Sequence, residues 1–336
     1  MASICLLPRT TSTGGVAAFQ DKFTAGLAQH GITVSERVDE ADVSAVLVAG
    51  GTRHLGALLQ ARRRGLRVVQ RLDGINWLHR RVHTGLRHFL RAEYGNQLLA
   101  LIRSHYATQI IYQSEFSRRW WQERFGTDRT SSTVVHNGVD LTVYAPEGAQ
   151  ERPANCCRVL LVEGRLEGGY ETGVQTAFRL ADLLAADLPI ELMIAGLAAP
   201  ALQSILFTPG RVPVRWAGLV PRQRIPFLDR SAHLLFSADI NPACPNSVIE
   251  ALACGLPVAA FETGALSELI AGDAGRLVPY GGNPWRLDPP DLGALARGAV
   301  EILQDQERFR TAARERAVQA FSLQRMVDGY LEVLLG

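Results

Sequence analysis

The chain has 336 residues, 47% hydrophobic and 20% charged, with a formal net charge of +2: the composition of a soluble globular protein, long enough for two domains with separate cores. No apolar run approaches the roughly 20 residues needed to span a bilayer. The opening "MASICLLPRTTSTGG" has no basic stretch before its apolar residues and does not read as a signal peptide. The five cysteines, Cys5, Cys156, Cys157, Cys244 and Cys254, are odd in number and lack Cys-x2-Cys spacing, which predicts free thiols in a reducing cytoplasm and no zinc site.

Short apolar runs alternate with amphipathic stretches nearly throughout. "SICLLP" (3–8), "SAVLVAG" (44–50), "LRVVQRL" (66–72) and "QIIYQS" (109–114) predict parallel strands. The stretch after Gly14 and Gly15 and residues 55–64, 86–105 and 116–125 predict helices. "STVVHNGVDLTVYAP" reads as a strand and an Asn-Gly turn, and the polar "EGAQERPAN" (147–155) as a linker. Beyond it the alternation restarts. Strands are expected at 157–164, 190–196, 213–218, 232–238 and 256–262, with Cys156 and Cys157 on opposite faces of the first. Helices are expected near 172–186, 222–229, 247–254, 290–304 and 305–320, with an apolar-faced segment at the end. This βαβα–linker–βαβα order predicts an α/β protein of two doubly wound domains facing a cleft.

The small net charge is unevenly spread. Residues 53–130 carry 15 Arg and 5 acidic residues, a charge of +10 against −8 for the rest. One reading is an anionic partner on that half. The other is ordinary helix surface in a chain whose only lysine is Lys22.

Ligands of such sheets bind at the carboxyl ends of strands, near helix N-termini. Three loops qualify. "PRTTSTGGVAAF" (8–19) offers Gly14 and Gly15, which allow close backbone approach, with Arg9 nearby. "VEGRLEGG" (162–169) places Arg165 where a guanidinium can clamp a pyrophosphate. "PNSVIEALACG" begins a helix at Pro245-Asn246-Ser247 and carries Glu250. Ser247-x-x-Glu250 also has the spacing of a capping box, so Glu250 reads either as a helix cap or as a ligand residue. The sequence has no Asp-x-Asp, no His/Cys cluster at metal spacing, no Gly-x-Ser-x-Gly and no lysine-bearing phosphate loop. Nothing in it supports metal-assisted transfer, a hydrolase triad or P-loop chemistry.

In order, "TGGVAAF", "IIYQSEFS", "STVVHNGVDLTVYAP", "LLVEGRL", "MIAGLA", "VRWAGLVPRQRIPFLDRSAHLLFSA", "PNSVIEALACGLPVAAFETGALSELI" and "AGRLVPY" resemble the retaining glycosyltransferases of family 4. The resemblance implies the GT-B fold: an acceptor-side Rossmann-like domain at 1–148, a nucleotide-sugar domain at 149–320, and a helix at 321–336 crossing back to the first. It implies transfer of a sugar from a UDP- or GDP-linked donor to an acceptor sugar or lipid-linked glycan, with the anomeric configuration kept. No metal or cofactor is implied, and no nucleic acid; the nucleotide-sugar is a substrate. The cysteine usage predicts a cytoplasmic protein, and the charge of residues 53–130 suits an anionic membrane surface or an acidic acceptor. By motif position, the backbone at Gly14 and Gly15 meets the donor phosphates and Arg165 holds the leaving pyrophosphate. Glu250 takes the ribose hydroxyls, while Pro245, Asn246, Ser247 and Val248 line the transferred sugar. Asp73 in "QRLDGINW" falls near the first domain's sugar-facing position.

The chain departs from the family at two places. Pro242 stands where the family's first motif carboxylate holds sugar hydroxyls, and residues 166–171 (Leu, Glu, Gly, Gly, Tyr, Glu) lack the family's lysine. These departures predict a weaker grip on the sugar than on the nucleotide. They also keep open a nucleotide-sugar-binding protein that performs no transfer. An epimerase of the same fold has no acid/base pair to support it.

Overall fold

The computed structural model describes residues 2–10, 14–166, 171–198 and 212–336. The chain divides into two compact units: Met1–Gly138 with Phe321–Gly336, and Val139–Ala320.

Unit 1 contains β1 (Ser3–Leu7), α1 (Gly15–Gln29), β2 (Thr33–Ser35), β3 (Val43–Ala49), α2 (Leu55–Arg63) and β4 (Arg67–Leu72), then α3 (Leu86–His105), β5 (Gln109–Tyr112), α4 (Glu115–Phe125) and β6 (Ser132–Val134). Its strands form one parallel sheet in the order β2-β1-β3-β4-β5-β6. β1 is buried along its whole length and β3 nearly so, because helices cover both faces of such a sheet. That is why these strands are continuous apolar runs and not alternating ones. β2 is a three-residue edge strand without an apolar run and was not expected.

Unit 2 contains β7 (Cys157–Arg165), α5 (Glu171–Leu184), β8 (Ile190–Leu197), β9 (Val214–Gly218), α6 (Ile225–Arg230) and β10 (Leu234–Ser237). It continues through α7 (Asn246–Ala253), β11 (Val258–Phe261), α8 (Leu266–Leu269), β12 (Gly275–Val278), α9 (Leu292–Gln304) and α10 (Gln306–Ala320). The sheet is again parallel, in the order β12-β11-β10-β7-β8-β9. The chain runs outward from β7 through β8 and β9, then returns to β10 on β7's other side. The topological switch point therefore lies between β7 and β10. Residues 147–155 have no regular structure but are fastened to the end of α6. Arg152 donates to the Arg230 carbonyl from Nε (3.0 Å) and Nη2 (2.8 Å), and Arg230 Nε donates back to the Ala149 carbonyl (3.0 Å). β7 starts at Cys157, so Cys156 lies just outside it; none of the five cysteines forms a disulfide.

The last helix, α11 (Leu323–Leu335), belongs to unit 1. Ser322 caps it by accepting a hydrogen bond from the Arg325 N–H. Its inner face buries Met326, Val327, Tyr330, Val333 and Leu334, each worth ~1.5–3 kcal/mol when withdrawn from water. Tyr330 packs 5.1 Å from Phe19 and 5.2 Å from Phe23 of α1, between ring centroids. Gly138 of the Asn-Gly pair receives the start of α11: a Cβ there would lie 2.8 Å from the Met326 Cβ and from the Ser322 carbonyl. This glycine is thus required for close approach and not for a positive φ.

Candidate active site

Unit 2 carries most of the expected donor-site residues near the carboxyl edge of its sheet. Arg165 ends β7 and is exposed. The strand is irregular between Val162 and Arg165, and Gly196 of β8 makes room for it, since a Cβ at Gly196 would meet the Glu163 carbonyl. Leu166 anchors the end through its N–H to the Leu197 carbonyl (2.9 Å). Among the described residues, the Arg165 guanidinium has no hydrogen-bond or ion-pair partner. Residues 167–170, where the family's lysine is absent, lie outside the described residues, as do residues 11–13 of the first loop.

α7 begins at Asn246 with Pro245 as its N-cap, and no side chain caps it. Ser247 is therefore the second helical residue and Glu250 the fifth, out of capping-box register. Val248 is buried, while Pro245, Asn246, Ser247 and Glu250 are half-buried. The N-terminus of α7 presents the positive end of its dipole. Glu250 sits beside the buried Asp229, whose carboxyl is pushed well above its ordinary range by burial first and by Glu250 second. The same surroundings raise Tyr144, again chiefly through burial and then through Glu250.

Pro242 is buried in a tight turn. Asn241 before it has φ 56°, in the left-handed region, and its N–H donates to Thr263 Oγ1 (3.3 Å). Gly264, at φ +60°, closes on this turn so tightly that a Cβ would lie 2.5 Å from Pro242 N and O. The Pro242 carbonyl accepts from the Ala265 N–H at 2.8 Å. Pro242 is thus a fixed piece of the turn.

Two carboxyl groups that the motif reading passed over flank the switch point. Glu163 lies near the end of β7, and Asp239 follows the end of the neighbouring β10. Burial, then Asp239, pushes Glu163 up to about 8. Burial raises Asp239 to about 6, partly offset by a backbone hydrogen bond from Ile240. Their 76-residue separation left no motif; only the strand order β10-β7 makes them neighbours.

In unit 1, Gly14 and Gly15 open α1 beyond β1. Both are exposed, and an added Cβ on either would meet nothing within 4 Å. Gly14 has φ 147°, a conformation suited to glycine. Arg9 is engaged elsewhere, with Glu36 (3.4 Å) and Thr24 (3.4 Å). Asp73 follows β4. Its carbonyl accepts from Ser117 Oγ (2.8 Å) and Trp121 Nε1 (2.7 Å). Burial raises its carboxyl, partly offset by Arg71. Among the described residues there is no cluster of three or more His, Cys, Asp or Glu able to hold a metal ion. None of their helices is long and apolar enough to cross a membrane.

Two parallel α/β sheets of this strand order, with the last helix returning to the first unit, define the GT-B fold. A sucrose-phosphate synthase from Thermosynechococcus elongatus has the same fold over 99% of this chain and 98% of its own, with a TM-score of 0.75 at 17% identity. Residues 157–305 match the family described as glycosyl transferases group 1. The D-inositol 3-phosphate glycosyltransferase of Thermobispora bispora is 31% identical over 222 residues, 58% of this chain and 51% of that protein. A GDP-mannose-dependent alpha-(1-6)-phosphatidylinositol dimannoside mannosyltransferase of Mycobacterium tuberculosis is 26% identical over 231 residues, 67% of this chain and 57% of its own. The chain thus spans little more than half the length of these relatives.

Proposed function

We propose that the chain is a retaining glycosyltransferase. It moves a sugar from a UDP- or GDP-linked donor to an acceptor sugar or lipid-linked glycan, without a metal in the chemical step and without a cofactor. The observation that carries this reading is Arg165, an exposed guanidinium without a protein partner among the described residues, at the end of the strand beside unit 2's switch point. Breaking the glycosidic bond leaves negative charge on the departing diphosphate, and a positive group already in place stabilises that charge most. Arg165 supplies it, helped by the dipole at the start of α7. Glu250 accepts from the ribose hydroxyls, and the backbone around Pro245, Asn246, Ser247 and Val248 faces the sugar. The departing phosphate takes the acceptor's proton, so no separate base is needed.

Pro242 has no side-chain acceptor for sugar hydroxyls. In this reading Asp239 and Glu163 replace the missing carboxylate, the first accepting from one sugar hydroxyl and the second donating to another. In unit 1, Gly14 and Gly15 offer backbone N–H groups to phosphate, and Asp73 serves the acceptor side. The basic segment 53–130 faces an anionic membrane surface, with the protein peripheral on the cytoplasmic side. The lipid-linked substrate named for the mycobacterial relative supports that placement.

Incubation with a panel of UDP- and GDP-sugars, with calorimetry and assay of released nucleotide, tests the reading. One nucleotide series should bind and release its nucleoside diphosphate. Binding without release in the presence of acceptor glycans would favour the non-catalytic binder, which the changes at Pro242 and after Arg165 motivate.

A further inference from the structure

α3 is built the wrong way round for a helix that only supports a core. Its inner side buries Ala92, Asn96, Ala100, Ile102 and Arg103, with Leu98 and Leu99 half-buried against the core. Its outer side carries Leu86 (74% exposed), Leu90 (58%), Tyr94 (52%) and Leu101 (39%). These four fall in one row, spaced 4, 4 and 7 residues apart, because residues three and four apart share a helix face. The row runs for about 22 Å at 1.5 Å per residue. Phe89 (38% exposed) lies along its margin.

The charges beside the row are cationic. Arg87 and Arg91, each one residue on from an apolar member, are exposed. The Arg53 guanidinium lies 5.5 Å from the centroid of the Tyr94 ring. The one acidic side chain of the helix, Glu93, is neutralised by Arg80, which donates to it at 2.6 and 2.7 Å, and lies within hydrogen-bond distance of His79 Nε2 at 2.7 Å. An exposed apolar row beside unneutralised arginines matches a lipid interface, with acyl chains below and phosphates above.

We propose that α3 is a membrane-docking helix lying in the surface of an anionic phospholipid bilayer. Leu86, Leu90, Tyr94 and Leu101 enter the acyl boundary, while Arg53, Arg87 and Arg91 meet headgroup phosphates. This rests on the peripheral-membrane part of the function above and specifies its contact face. A soluble acidic partner would engage the arginines and leave the apolar row outside, and salt separates the two cases.

The test is co-sedimentation of the full chain with vesicles of equal parts phosphatidylglycerol and phosphatidylcholine, or of phosphatidylcholine alone, at low salt and at about 0.5 M salt. The wild type should bind the anionic vesicles at low salt and keep part of that binding at high salt. The triple variant Leu86→Ser, Leu90→Ser, Tyr94→Ser should lose the salt-resistant binding by about tenfold or more. The double variant Arg87→Gln, Arg91→Gln should lose several-fold at low salt only. Thermal melts of both variants should match the wild type, since the replaced side chains are exposed. If the triple variant sediments as the wild type does at both salts, or if salt abolishes wild-type binding, α3 does not insert. Binding to neither vesicle would overturn the inference and the peripheral placement together. Donor titration on the same preparation reports separately whether the transferase reading stands.

Discussion

The two sheets share one architecture and treat the charges at their carboxyl edges differently. In unit 1, Arg71 near the end of β4 is 2% exposed, lies 4.1 Å from the centroid of the Phe19 ring, and donates to Asn137 Oδ1 at 3.1 Å. In unit 2, Arg165 is exposed and without a partner among the described residues, beside the switch point where burial raises the carboxyls of Glu163 and Asp239. A buried guanidinium held by protein groups fixes a fold. One left open beside an acid pair is available to a ligand, because an anionic substrate can satisfy it.

The largest expected effect breaks the comparison from the unit 1 side. Tyr330→Ala removes the ring that α11 sets against Phe19 and Phe23. It should cost unit 1 about 3–5 kcal/mol, as large aromatic truncations in cores do. Calorimetric melting should then show an earlier transition, while nucleotide affinity measured below that transition stays near wild type. A parallel loss of nucleotide binding would mean that the donor site depends on unit 1's core.

Glu250→Gln acts on unit 2 instead. Glu250 is not in capping register, so the melting temperature should hold. Nucleotide binding should weaken by about 1.5–3 kcal/mol, the worth of charge-assisted hydrogen bonds, or roughly 10- to 100-fold. Intact binding with lowered stability would return Glu250 to a purely structural role.

Asp239→Asn sharpens the question raised by Pro242. If Asp239 and Glu163 hold sugar hydroxyls, the wild type binds one sugar conjugate more tightly than the bare diphosphate. The variant should bind both alike, losing about 1–2 kcal/mol on the conjugate alone. Equal affinities in the wild type would leave the sugar without a side-chain grip.

The smallest effect is a pH slope. The Glu163 carboxyl is raised from 4.5 to about 8. A raised acid favours the folded state fully below its unfolded value and loses that contribution as pH climbs from 4.5 towards 8. Ionisation near 8 also places a second negative charge by the diphosphate site. Donor affinity should therefore fall as pH passes 8, and Glu163→Gln should flatten the fall. An unchanged profile in the variant would assign the titration elsewhere.

Much of the fold was legible because doubly wound sheets bury their strands on both faces, so "SICLL" and "CRVLLVEG" stand out from amphipathic helices. β2 was not, since an edge strand of three residues needs no apolar run. β12 also escaped, its Gly275–Val278 being short and mixed in character. At the site, Arg165 and Glu250 stand in local motifs and could be proposed from them. The acid pair could not, because strand order and not sequence distance brings Glu163 near Asp239. The Ser247-x-x-Glu250 box misled for a local reason: the helix starts two residues earlier than the box requires, with Pro245 as its cap. The sequence predicts a helix at 86–105 and assigns its apolar residues to no face. Only the structure places Leu86, Leu90 and Tyr94 on the outside.

The claim that unit 2 holds a nucleotide-sugar through Arg165 is tested most directly by calorimetric titration of wild type and Arg165→Ala with UDP, GDP and their sugar conjugates. One nucleoside diphosphate should bind the wild type, and the variant should bind it about 10- to 100-fold more weakly with an unchanged melting temperature. Equal affinity in both proteins would show that the open guanidinium at the end of β7 is not the diphosphate clamp, and the account of the site would fail.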